Sequence, residues 1–137
     1  MLLYAPLDVP DPPQNVQVSN VTKFSATLTW QTPVSDGGSE ITAYIIELRD
    51  RTSVSWSAVM VTKPQDRTAI INDVIENKEY IFRIRAENKA GTGKPSAATN
   101  PVQIMDPIGL SIWPSLKSFF SVQCKLHIPH TMTKYLN

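Results

Sequence analysis

From Val16 onward the chain alternates apolar and polar positions with a period of two. Ala26, Leu28 and Trp30 alternate with Thr27 and Thr29. Tyr44, Ile46 and Leu48 alternate with Glu47 and Arg49, and Tyr80, Phe82, Ile84 and Ala86 with Arg83, Arg85 and Glu87. Successive side chains of an extended chain point to opposite faces, so each run buries one face and wets the other. Val16 and Val18 open a shorter run, and residues 56–61, 68–74 and 97–104 complete the set. Turn-forming residues separate the runs at 33–38, 50–55, 63–66, 76–79 and 90–95. The 3.6-residue period of a helix is not evident in any of them. The pattern predicts seven short strands in an all-β, antiparallel sandwich or barrel.

Parity then assigns roles. Trp30, Tyr44, Tyr80 and Phe82 lie on the apolar side of their runs and are expected to pack the core. Trp56 opens an edge strand, where it either covers the sheet or stands out as a protein-contact residue. Arg83 and Arg85 face outward, as do Glu47 and Arg49; on neighbouring strands these four would form a charge ladder. As a solvated ladder it would contribute at most about 1 kcal/mol per exposed pair. As a binding surface it makes Arg83 and Arg85 candidate protein contacts.

Proline punctuates the chain at both ends of this region. Asp8-Val9-Pro10-Asp11-Pro12-Pro13 reads as a stiff, extended linker, because proline fixes φ and cannot donate to a ladder. Met105-Asp106-Pro107 closes the region. The expected organisation is an N-terminal linker over residues 1–9, one domain over 10–107, and a tail over 108–137.

Composition sharpens that division. The 137 residues are 42% hydrophobic and 18% charged, enough to build a core, with a formal net charge of +1. The near-neutral sum combines two unlike parts. Residues 1–107 carry a balance of −2, whereas 108–137 carry Lys117, Lys125 and Lys134 and no acid. That balance gives no reason to expect nucleic acid or an anionic membrane as a partner. The longest apolar stretch falls far short of the roughly 18–20 residues that span a bilayer. The N-terminus lacks a basic segment, and Pro6 and Asp8 break its apolar run too early for a signal peptide. The single cysteine, Cys124, excludes an internal disulfide, and its absence from the first 123 residues leans towards a reducing compartment.

Little in the sequence suggests chemistry. The sandwich region holds no histidine or cysteine, and its carboxylates are scattered singly. Gly91-Thr92-Gly93 and Asp36-Gly37-Gly38 read as turns needing positive φ, not as phosphate cradles, since no helix N-terminus follows. Cys124, His127 and His130 are spaced for a shared metal but supply one ligand too few for a structural zinc site. No catalysis, cofactor or metal is expected.

The residues also carry a family likeness. Pro12-Pro13 before Val16, Leu28-Thr29-Trp30, and the approach from Asp73 to Tyr80 resemble a fibronectin type III domain. The resemblance implies a seven-stranded sandwich, with Trp30 filling the core and the Tyr80 hydroxyl bonded back to upstream backbone. Asn77 stands where the family often has glycine, and asparagine tolerates positive φ. Pro33 to Tyr44, Ile45 to Asp50, and Ala86 to Ser96 resemble domains of the titin, twitchin and projectin group of giant muscle proteins. That likeness implies a non-catalytic, monomeric structural and protein-interaction module in the cytoplasm of muscle. Its partners would be myosin or other sarcomeric proteins. Such proteins can carry a kinase domain, but no kinase glycine loop or catalytic motif is present in this sequence.

The alternative is an extracellular module of a cell-adhesion protein or receptor, with Asn20-Val21-Thr22 as a glycan acceptor. The likeness ends at Pro107. Residues 108–137 are expected to be an irregular, disordered addition, either an alternative end or translated non-coding sequence, with a basic, apolar docking segment as the other reading.

Overall fold

The computed structural model describes residues 6–107. The expectations placed on residues 1–5 and 108–137, including the disordered tail and the grouping of Cys124, His127 and His130, lie outside the described residues.

Alternation becomes strand wherever the turns let the chain reverse. The elements are β1 (Gln14–Val21), β2 (Ala26–Gln31), β3 (Ala43–Asp50), β4 (Ser57–Thr62), β5 (Thr68–Ile71), β6 (Glu79–Asn88), β7 (Gly91–Thr92) and β8 (Val102–Gln103). All pairings are antiparallel. The smaller sheet runs β1-β2-β5; the larger runs β4-β3-β6-β7, with β8 also on β6.

The inward parity of each sheet fills the space between them. Leu28, Ile71, Tyr44, Ile46, Phe82, Ile84 and Ile104 are fully enclosed. Trp30 and Tyr80 are buried as well, and Trp30 packs on Tyr44 with ring centroids 5.6 Å apart. The tilt of 57° between those rings suits the edge-to-face preference of aromatic pairs.

Two sharp backbone requirements are met locally. Asn77 adopts φ 73°, the left-handed conformation its side chain tolerates better than most. That turn delivers Tyr80, whose hydroxyl accepts a hydrogen bond from the Ile75 N–H at 3.0 Å. Tyr80→Phe should leave that N–H without its partner and destabilise the sandwich by about 1 kcal/mol. The midpoint of urea unfolding measures it; an unchanged midpoint would remove the corner from the account.

The last strand differs from expectation. Instead of a continuous strand over 97–104, only Val102–Gln103 form ladder, and Gly91–Thr92 add a separate short strand. The cause is local chemistry. Pro95 and Pro101 have no N–H to donate. The intervening hydroxyls take over the ladder. Ser96 Oγ accepts from the Ile84 N–H at 3.0 Å, and Thr99 Oγ1 from the Phe82 N–H at 3.1 Å. In return the Ser96 and Thr99 N–H groups donate to the Ile84 and Phe82 carbonyls. Counted as one interrupted strand, residues 91–103 complete a seven-stranded sandwich.

Each end of the sandwich holds one end of the described segment, residues 6–107. Asp106 Oδ1 accepts from the Lys23 N–H at the β1–β2 turn, and Ile104 bonds Asn77 and Lys78 at the β5–β6 turn. At the other end Asp8 and Asp11 bond Gly37 and Ser35 in the β2–β3 loop. Chain entry and exit therefore lie at opposite poles.

Candidate functional site

The outward face of the larger sheet gathers the charged residues. Register places Glu47 of β3 opposite Arg83 of β6, and Ile45 opposite Arg85. Arg83 Nε donates to Glu47 Oε1 at 2.6 Å, and Arg85 Nε donates to the same oxygen at 3.2 Å. These are not free surface pairs, because the Glu47, Arg83 and Arg85 side chains are only 15%, 19% and 29% exposed. Burial pushes the Glu47 carboxyl up, but hydrogen bonds and charge from the two guanidinium groups outweigh it and hold its pKa below the ordinary value.

The sign of that shift sets a pH dependence. A carboxylate with a depressed folded pKa stabilises the fold above its unfolded pKa, near 4.3, and loses that contribution as pH falls through the folded value. Glu47→Gln should therefore lower stability at neutral pH and flatten the acid limb below about pH 4. Urea midpoints of both proteins across that range test it; parallel pH curves would contradict it.

Trp56 lies just before β4, where the β3–β4 turn folds it back towards Arg49. The ring is half-buried beneath two guanidinium groups: Arg83 stands 4.1 Å and Arg49 5.3 Å from its centroid. Arg49 Nη1 donates to the Ser53 carbonyl at 2.7 Å. Among the described residues Arg49 has no carboxylate within ion-pair distance, unlike Arg83 and Arg85. Trp56, Arg49, Arg83, Glu47 and Arg85 thus form one continuous row, in which two of the three guanidinium groups, those of Arg83 and Arg85, share a single carboxylate. The row brings together all three residues singled out as protein contacts. Trp30, Tyr44, Tyr80 and Phe82 sit on the opposite parity, in the core. Burial raises the Tyr44 phenol's pKa, partly opposed by the nearby Arg67 charge.

A second polar centre has no counterpart in the sequence reading. Asn88, at the end of β6, is 3% exposed. Its Nδ2 donates to the Asp8 carbonyl at 2.8 Å and to the Asp36 carbonyl at 2.6 Å, and its Oδ1 accepts from the Ala90 N–H. One side chain therefore ties the N-terminal segment, the β2–β3 loop and the β6–β7 turn together. Glycine makes the close approach feasible. A Cβ on Gly37 would collide with the Asp8 carbonyl, and one on Gly93 with the Pro10 carbonyl. Residues 6–11, extended as their prolines require, are bound to the sandwich. The clue in the sequence was an asparagine ending a strand ahead of spaced glycines.

Among the described residues no group of three His, Cys, Asp or Glu side chains could hold a metal ion. Also among the described residues, no helix is long and apolar enough to cross a membrane. A row of guanidinium groups around an indole offers directional donors and a flat apolar surface, the chemistry of protein recognition.

Comparison with known proteins agrees with this geometry. The family model described as "Fibronectin type III domain" matches residues 11–102. Titin of Drosophila melanogaster is 42% identical over 87 residues, which is 64% of this chain and, to the nearest percent, 0% of that protein. Myosin-binding protein C, fast-type, of Gallus gallus is 37% identical over 101 residues, 74% of this chain and 9% of that protein. The crystal structure of domains A168–A170 from titin superimposes with a TM-score of 0.69 at 40% identity, covering 72% of this chain and 33% of that one. The chain thus spans a tenth or less of the length of these curated relatives.

Proposed function

The chain belongs to the fibronectin type III family, and on that premise we propose that it is a non-catalytic structural and protein-interaction module of a sarcomeric, filament-associated protein in the cytoplasm. It is related to giant muscle proteins. The observation that carries the reading is the locked entry pole. Asn88 and the bonds of Asp8 and Asp11 make residues 6–11 part of the rigid body.

Mechanically, such a module works as a spacer of fixed direction. Entry and exit lie at opposite poles, and an eight-residue strand such as β3 spans about 27 Å. Modules in series then add length, and a bound entry segment restricts the angle between neighbours. The outer face of the larger sheet remains for partners, with myosin or another sarcomeric protein as the expected class. The module acts as a monomer in this role.

Backbone relaxation of the full chain tests the rigid pole. The Asp8 and Asp11 amides should show order parameters near 0.85, matching those of β3 and β6. Values under about 0.6 at those amides would make the segment a flexible linker and remove the fixed direction.

A further inference from the structure

The sheet edges are not equivalent. β1 carries two register irregularities and Asn15 at φ 51°, which break a smooth pairing edge. β5 is only four residues long. The far side of β6 is already covered by residues 91–103 and their two prolines. β4 carries one register irregularity of its own, but it is six residues long and among the described residues pairs only with β3. Its six residues, Ser-Ala-Val-Met-Val-Thr, contain no charge and no proline. Natural edges are usually blunted by a charge, a proline or a bulge, and of these β4 has only the last.

Register shows which backbone groups of β4 face away from the sheet. Arg51 donates to Glu79, so odd-numbered residues of β3 bond β6 and even-numbered ones bond β4. The β3 partners of Ala58 and Val61 are Glu47 and Ile45, both odd. Ala58 and Val61 therefore turn their own N–H and C=O groups outward. The extra residue at the irregularity, Val59, packs onto the core. Val61, by contrast, is 67% exposed. At the start of the same edge stands Trp56, capped by Arg49, whose charge no carboxylate among the described residues neutralises.

We infer that β4 is a strand-addition site for an extended acidic peptide segment of a partner protein. The peptide would pair its backbone with Ala58 and Val61, lay apolar side chains beside Val61, and set a carboxylate against Arg49 over the Trp56 ring. Backbone pairing supplies the attachment. The unneutralised guanidinium selects the acidic residue and fixes the register. The site deepens the protein-interaction half of the proposed function and rests on it.

The test uses the full chain and a short synthetic peptide that carries valine and glutamate at different positions of the same strand face. Its glutamine counterpart and a version N-methylated at alternate backbone positions serve as controls. Binding should shift the amide signals of Ala58 and Val61 and slow their hydrogen exchange. N-methylation should abolish binding, since a methylated amide cannot donate; this control leaves the protein untouched. The glutamine peptide, or the Arg49→Gln variant, should bind at least about tenfold more weakly. Equal binding of the methylated peptide, shifts confined to another surface, or no binding at all would overturn the site. Concentration-dependent self-association through β4 would also overturn it, in favour of a second copy as occupant. Loss of sarcomeric placement with peptide binding intact would contradict the proposed function and leave this site standing.

Discussion

Trp30→Ala is expected to destabilise the sandwich by about 3–5 kcal/mol, the usual cost of emptying a large aromatic site in a core. Trp30 is 3% exposed on β2 and packs against Tyr44 of the opposite sheet, so its removal opens the space between the two layers. A domain of this size has about 5–15 kcal/mol in total, so the variant should approach the unfolding threshold near body temperature. Trp30→Phe should cost much less. It retains most of the ring contact, and the indole N–H has no hydrogen-bond partner among the described residues to lose. Calorimetric melting of the three proteins measures both effects. A Trp30→Ala melting temperature equal to that of the parent would place the indole outside the core.

Asn88→Ala should cost about 2–3 kcal/mol, because it deletes two donors and one acceptor at a site closed to water. The larger consequence is spatial. Without the Asn88 amide, the Asp8 and Asp36 carbonyls lose their common donor, and the entry segment keeps its packing and the Asp8 and Asp11 amide bonds. Exchange of those two amides should accelerate far more than exchange in β3. Asn88→Asp should behave like alanine, since a carboxylate offers only acceptors to two carbonyls. If aspartate matched asparagine, or if exchange at Asp8 and Asp11 kept pace with the parent, the clamp would have no role in holding the pole.

The strands were legible because their chemistry is periodic. Ala26 to Trp30 and Tyr80 to Ala86 state their inward faces residue by residue. The register of β3 against β6 was legible at one remove, since the Glu47 and Arg83 charges point to the same face. The last strand was not, because Ser96 and Thr99 supply hydroxyls where a regular ladder would use carbonyls. Hydrophobic alternation says nothing about that exchange.

The entry pole was hidden for a different reason. Asp8 and Pro10 look like linker residues by composition, and their partners, Asn88 and Gly93, lie some eighty positions away. A short-range reading sees a proline-rich segment and cannot see the amide that receives it. The Trp56 stack lay between these cases. Its dependence on Arg49 follows from folding the β3–β4 turn back on itself, but the second guanidinium, Arg83, comes from another strand.

The central claim, a structural module working inside the sarcomere, is tested most directly by imaging the full chain, fused to a fluorescent reporter, in striated muscle cells. The account predicts cytoplasmic fluorescence in regular stripes that follow the filament repeat. Fluorescence in the secretory pathway or at the cell surface, carried by chains with a glycan on Asn20, would contradict it.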